Sequence, residues 1–328
     1  GDRLPDHLPV QHAGVPSEIA GSVIEPPGTQ VDASVIVGSV NGGEWIHLLL
    51  AALEAQQTQY RYQVIVADRT ADGTRARIAA THPNVQLLLA SPSSTLPELR
   101  TQALECARGR YVFVTEDHTV PPIDWIERFS AELDAAPPEI AAVGGPVDNG
   151  MLSGAVNWAA FLCEYSGYLP PLESADVTDV PGMNIAYRRD VFAQIERDTL
   201  TRGFWESSLH PQLLACGQRF RRLADVVMVH RKHFGFRYFL SQRYHYSRYF
   251  AGARFSPEDR RRYLYGVLSV ALPPLVVTRV ARNALKRPKY ARSAVHSMPA
   301  LSCFALAWGV GECVGYLLGP GDSLVEIE

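Results

Sequence analysis

Apolar positions recur with two different periods along the first third of the chain. Ala33–Gly38 is a short β-branched run, and Tyr62–Ala67, Val85–Ala90 and Tyr111–Thr115 are apolar runs of similar length. Between them, Glu44–Gln57 places Trp45, Ile46, Leu49, Leu50 and Leu53 at helical spacing. Gly73–Ala80, Leu96–Ala107 and, after Pro121–Pro122, Ile123–Ala135 have the same character. Strand alternating with helix predicts an open α/β sheet with parallel strands.

Residues 136–235 are less regular. Ile140–Val143 reads as a strand before Gly144, Gly145 and Pro146, a turn is expected at Gly182–Asn184, a helix near 207–216 and a strand at Val226–His230. From 236 the pattern changes again. Arg237, Arg243, Arg248 and Arg254 interleave with Tyr238, Phe239, Tyr244, Tyr246, Tyr249 and Phe250, which predicts an amphipathic helix with Arg and Tyr at lipid head groups, or else a helix packed on the preceding domain. Arg260–Arg262 precede an apolar run at 263–278. A basic stretch, 279–292, and a second apolar run, 293–311, follow. Three regions result: an extended lead-in at 1–30, rich in proline and without the apolar core of a signal peptide, a domain at 31–235 split near 135, and a tail at 236–328.

Composition narrows the class. With 47% hydrophobic and 20% charged residues over 328 positions, the chain can bury a sizeable core. A net charge of −3 argues against a nucleic-acid partner that needs a broadly basic surface. The cysteines, Cys106, Cys163, Cys216, Cys303 and Cys313, form no C-x-x-C pair, so neither a disulfide framework nor a structural zinc site is expected.

Ligands of open α/β sheets sit at the carboxyl ends of strands. The residues there are Gly38, Ser39 and Asn41 after the first run, Asp68 after the second, and Glu116, Asp117 and His118 after the fourth. Asp68 suits a hydrogen bond to a ribose or base edge, or a plain turn. Glu116 and His118, two apart on an extended segment, share one face and can hold Mn²⁺ or Mg²⁺, the imidazole favouring Mn²⁺. Asp117 remains a second ligand or a sugar contact. The alternative is that these acids cap the next helix.

This constellation resembles the family 2 glycosyltransferases of the GT-A fold. The opening Ser34-Val-Ile-Val-Gly-Ser-Val-Asn41 is similar to their strand followed by P-T-Y-N. Val66-Ala-Asp-Arg-Thr-Ala-Asp-Gly-Thr74 is similar to V-V-D-D-G-S-T-D-G-T, one residue shorter. Leu99-Arg100-Thr101 through Ala107, Gly109 and Tyr111 follows A-R-N-x-G…A-x-G-x-Y. Their D-x-D falls on Glu116-Asp117-His118, before Pro121 and Trp125. Gly182-Met-Asn184 matches their acceptor turn, Glu206-Ser207 their E-D motif, and His230 the histidine ending a late strand. Ala307-Trp308…Glu312…Tyr316…Gly319 looks like the tail of membrane-associated members.

The resemblance implies a Rossmann-like open mixed sheet with helices on both faces, followed by C-terminal amphipathic and apolar helices. It implies an inverting enzyme that moves a sugar from a nucleotide-diphosphate donor to a hydroxyl of a lipid-linked or glycan acceptor. Gly38, Ser39, Asn41, Asp68, Arg100, Glu116 and Asp117 would face the donor, though Arg100 could also be a solvated helix residue. Gly182, Asn184 and Trp205 would face the acceptor. Glu116, His118 and His230 would hold the cation, with Lys232 or His233 as alternative partners of the diphosphate. Because position 207 has lost its Asp, Glu206 becomes the expected base, ionised near neutral pH without tuning; Asp179 is the rival and a helix cap the plain alternative. The run at 263–278, interrupted by Pro273–Pro274, is expected to re-enter or lie in the interface at the cytoplasmic face of the cell membrane, while the second run could span. Competing functions are a membrane-bound scaffold on a degenerate fold and a sugar nucleotidyltransferase.

Overall fold

The computed structural model describes residues 24–40, 43–70 and 72–327. The expected lead-in therefore lies largely outside the described residues, and Asn41 lies outside them too. Ile24 is already buried, and Glu25 N–H donates to Tyr62 O at 2.8 Å.

The chain opens as β1 (Ala33–Ser39), α1 (Trp45–Glu54), β2 (Tyr62–Asp68), α2 (Thr74–Thr81), β3 (Gln86–Leu89), α3 (Leu96–Glu105) and β4 (Tyr111–Glu116). Every residue of β1 and β2 is buried, which is why they read as continuous apolar runs without alternation. The start of α3 is fixed by a capping box: Thr95 N–H donates to Glu98 Oε2 at 2.7 Å, and Glu98 N–H returns to Thr95 Oγ1 at 3.4 Å. Next come β5 (Thr119–Val120), α4 (Trp125–Ala135), β6 (Ile140–Gly144), β7 (Val147–Asn149), α5 (Ala155–Tyr165), β8 (Ala175–Val177) and β9 (Ile185–Arg188). The remainder of this region is α6 (Arg197–Gly203), α7 (Glu206–Ala215), β10 (Arg219–Arg222) and β11 (Met228–His230).

The main sheet has the order β3-β2-β1-β4-β9-β6-β10-β8. Strands β1 to β4 are parallel; β9 enters antiparallel between β4 and β6, so the sheet is mixed. A second sheet, β5-β11-β7, brings β11 beside the residues that follow β4. Strands β5, β7, β8, β9 and β10 and helices α5 and α6 are elements the sequence pattern does not announce. Eight of the eleven residues of α5 are buried, so it lacks a polar stripe that would reveal its period.

The tail forms α8 (Phe236–Arg254), α9 (Arg261–Leu268), a 3-10 turn at Ser269–Ala271, α10 (Leu272–Leu285) and α11 (Pro288–Leu318). The interruption expected at Pro273–Pro274 is a change of helix type and not a break: the chain stays helical from Arg261 to Leu285 through the 3-10 turn at Ser269–Ala271, and both prolines fall in the first turn of α10. The head-group role expected of α8 does not hold for its central arginine. Arg243 points inward, pairs with Glu164 at 2.8 Å, and lies over the rings of Phe239, Tyr246 and Trp308 at 5.0, 5.1 and 5.8 Å. Helix α11 runs parallel to α8, with Phe304 on Phe239 at 4.7 Å and Tyr316 OH beside Arg254 Nη1 at 3.2 Å. Gly311 and Gly315 allow this approach, because a Cβ at either position would collide with the backbone of α8.

Candidate active site

Glu116 ends β4, a turn carries Asp117 and His118, and β11 delivers His230. Glu116 Oε2 and His118 Nε2 are 3.1 Å apart, and one ligand atom from each of Glu116, His118 and His230 lies within 4.8 Å of the others. Asp117 does not join them. Its Oδ1 lies 2.7 Å from His118 Nδ1 and its Oδ2 accepts from Val40 N–H at 3.3 Å, so it orients the imidazole with Nε2 toward Glu116.

The electrostatics fit a cation. Burial pushes the Glu116 carboxyl up, but the hydrogen bond and charge of His118, with the charge of Arg100, outweigh it and hold the group at about 2. Burial pushes His118 down, yet its hydrogen bonds to the Asp117 and Glu116 carboxylates prevail and raise it. His230 is buried among Phe161, Tyr165 and Phe234, and among the described residues neither ring nitrogen has a hydrogen-bond partner. Burial, with the positive His118 next to it, lowers its pKa well below the ordinary value. A buried neutral imidazole with both nitrogens idle costs about 1–3 kcal/mol for each unmade bond. Coordination would remove part of that cost.

On the donor side, Gly38 and Ser39 end β1, and Ser39 Oγ is buried without a partner among the described residues. Asp68 is fully buried, and its carboxylate is taken by Arg75 Nε at 2.6 Å and Thr70 Oγ1 at 3.0 Å. A ribose or base could reach it only by displacing Arg75. Arg100 is not a solvated helix residue: it is buried, donates to Phe204 O at 2.9 Å, and has Nη2 at 3.7 Å from Glu116 Oε1. A cavity of about 70 Å³ lies between Gly38, Glu116, His118, Glu164 and Lys232. Lys232 Nζ donates to Tyr238 OH at 3.2 Å and also borders a groove of about 640 Å³ beside Trp45 and Arg77. His233 is instead held by Asn157, 2.8 Å from its Nδ1. Glu164 and Tyr165, whose OH donates to Glu116 Oε2 at 3.4 Å, belong to this site and are missed by sequence reasoning. The one available signal is an acid inside the apolar run that becomes α5.

On the opposite side, Glu206 opens α7, half-buried, and Gly182 lies under its carboxylate so closely that any Cβ there would strike Oε2. Burial raises the pKa of Glu206, against the lowering effect of its own N–H and of His210 and Arg100. The expectation of an untuned base is thereby corrected. Trp205, not Glu206, occupies the cap position and makes no side-chain cap bond, but Glu206 stands in the first turn with its own N–H on its carboxylate, as the helix-end alternative requires, while Ser207 Oγ meets Tyr246 OH at 3.1 Å. Asp179 is engaged on both oxygens, by His210 Nδ1 at 2.6 Å and by Tyr168 OH. Burial pushes it up, but these bonds outweigh burial and leave it below the usual carboxyl range. His210, with Tyr187 OH 2.8 Å from its Nε2, is a further neighbour not anticipated.

Asn184 does not face an acceptor. Its Oδ1 accepts from Trp125 Nε1 at 2.9 Å and its Nδ2 donates to Pro146 O and Val226 O at 2.9 and 2.8 Å, which makes it a buried brace between strands. Trp205 is likewise largely buried, edge-on to Tyr246 at 5.7 Å.

Residues 34–196 match the family described as Glycosyl transferase family 2. No curated protein sequence matches the chain. Among solved structures, the mannosyltransferase PcManGT from Pyrobaculum calidifontis, in complex with GDP-Man and Mn²⁺, is 19% identical; the match covers 89% of this chain and 90% of that one, with a TM-score of 0.54. Residues 1–349 of S. aureus TarS, in complex with UDP-GlcNAc, are 14% identical over 84% of this chain and 91% of that one, with a TM-score of 0.50. At these identities the likeness is one of fold.

Proposed function

The chain belongs to glycosyl transferase family 2 through residues 34–196, and from that premise we propose an inverting, metal-dependent transfer of a sugar from a nucleoside-diphosphate donor to an acceptor hydroxyl. The observation that carries this reading is the Glu116–His118–His230 cluster, with a buried imidazole, unpartnered among the described residues, that has a nitrogen within 4.8 Å of a carboxylate oxygen. Glu116, His118 and His230 would hold Mn²⁺ or Mg²⁺, which would supply Lewis-acid stabilisation of the leaving diphosphate. Arg100 and Lys232 add positive charge on the same side. Tyr165 and Asp117 hold Glu116 and His118 in place. Glu206 takes the proton of the acceptor hydroxyl as its oxygen bonds to the anomeric carbon. The bond from that carbon to the diphosphate breaks on the opposite face, and the nucleoside diphosphate leaves with the electron pair.

Residues 31–135 are read as the donor half, 136–235 as the acceptor half, and 236–328 as the part that meets the membrane. The donor class is supported by the GDP-Man and UDP-GlcNAc of the two fold neighbours. The acceptor is read as lipid-linked or a growing polysaccharide, met at the cytoplasmic face of the cell membrane. A thermal-shift titration of UDP and GDP with Mn²⁺ tests the donor site. Stabilisation in Mn²⁺ that disappears in EDTA, and in Glu116→Gln, is expected; equal binding in EDTA would end the metal reading. A degenerate, non-catalytic scaffold is favoured by one observation, the occupation of Asp68 by Arg75. Turnover of any nucleotide sugar in a donor panel would exclude it.

A further inference from the structure

We infer that the α9–α10 face of the tail is a docking surface for an anionic lipid leaflet, and that the chain lies on the bilayer without crossing it. This rests on the reading that the enzyme works at a membrane, and it specifies the surface and the mode. Tyr263, Leu264, Val267 and Leu268 sit at i, i+1, i+4 and i+5 on one face of α9, and they are 56, 59, 72 and 53% exposed. Val270 and Leu275 continue the patch at 78 and 62%. A contiguous apolar surface of this kind on a folded protein marks an interaction site.

Charge selects the occupant. From Arg260 to Gly311 the chain carries nine Lys and Arg residues and no Asp or Glu. Arg279, Arg282, Lys286 and Arg292 are all exposed. Cations bordering an apolar face match the head groups of an anionic leaflet, with the apolar side chains below them.

Length alone would allow crossing, since 261–285 and 288–318 are both long and apolar enough, with mean hydropathies of 1.6 and 1.5. The packing of α11 opposes it. At its start, Lys289 Nζ and Tyr290 OH reach Asp148 at 2.5 and 3.0 Å, next to the catalytic sheet. Tyr290 also packs on Trp158 of α5 at 6.2 Å. At its far end, Gly311 and Gly315 are seated on α8. With both ends fastened to the same folded unit, about 30 Å of hydrocarbon cannot be interposed.

Co-sedimentation of the full chain with phosphatidylcholine vesicles, with and without phosphatidylglycerol, tests this in the absence of any donor. Wild type should bind the phosphatidylglycerol vesicles and be released by salt. Val267→Glu/Val270→Glu should lose at least ~10-fold in binding, and Arg279→Glu/Arg282→Glu should lose the preference for anionic lipid. Leu89→Glu, at an exposed position on the opposite sheet edge, should bind as wild type. Nucleotide-induced stabilisation on the same samples verifies folding and scores the glycosyltransferase reading separately. Failure of wild type to bind, unchanged binding of the Val267→Glu/Val270→Glu variant, or retention of the protein in membranes after alkaline carbonate extraction would overturn the inference.

Discussion

Glu206 and Asp179 meet the requirements of a base unequally. Asp179 has both oxygens occupied and a depressed pKa, so accepting another proton is unfavourable. Glu206 carries a raised pKa, which brings its proton affinity closer to neutral, where a base works best. Glu206→Gln should therefore reduce turnover by ~10²–10⁴ while donor binding survives, and Asp179→Asn should act mainly through stability. The acid limb of kcat/KM should lie above the ordinary glutamate value of ~4.3, because activity is lost as pH falls through the raised pKa. A limb at or below that value would remove Glu206 from the role. The metal site makes a second pH prediction. The raised pKa of His118 means that its proton competes with a cation, so Mn²⁺ affinity should weaken as pH falls through that raised value. Calorimetry in buffers of different ionisation heat should show proton release on binding in wild type and less in His118→Gln. Glu116 and His118 are legible in the sequence as an acid and an imidazole at a strand end, although the extended segment expected to put them on one face turns at Asp117 and His118. His210 is not, since its carboxylate partner is 31 residues away and nothing periodic connects them.

At the scale of elements, small residues decide whether the tail closes on the domain. Gly315 faces the carbonyl of Arg248 and the Cβ of Ala251, so Gly315→Val must push α11 away from α8. A cost of ~1–3 kcal/mol is expected, seen as a fall in Tm. Gly167→Ala is the control, because a Cβ there meets nothing within 4 Å. Equal Tm values for the two variants would mean that the α8–α11 contact contributes little. The same contact explains why α8 misleads a reader of the sequence. Its Arg and aromatic residues have the composition of a lipid-facing helix, but a partly buried partner for Arg243, Glu164, lies 79 positions upstream. Strands β1, β2 and β4 are legible because burial on both faces demands uninterrupted apolar runs. Strand β9, four residues long, is not, because only its pairing between β4 and β6 gives it an extended conformation.

Across the whole molecule, the change in chemistry at 236 is not a boundary in the core. Phe239, Val280, Tyr290, Leu301 and Phe304 of the tail are buried in the same apolar cluster as Val35 and Phe113 of the sheet and Phe161 of α5. Composition suggests an appended anchor; the packing shows a wall of the catalytic unit. Fully burying a large apolar side chain contributes about 1.5–3 kcal/mol, so five of them are on the order of 10 kcal/mol. That is comparable with the entire stability of an ordinary domain, about 5–15 kcal/mol. A fragment ending at 235 should consequently fail to fold cooperatively. It would also lose Arg243, the partner of Glu164 beside the donor cavity, and so leave a partly buried carboxylate without that partner. The measurement is urea unfolding of the fragment followed by near-UV circular dichroism, with nucleotide binding as a second readout. A sharp transition together with Mn²⁺-dependent nucleotide binding would show that the tail is separable after all. A broad, non-cooperative transition is expected, because removing α8, α10 and α11 leaves Trp158, Phe161 and their neighbours facing water.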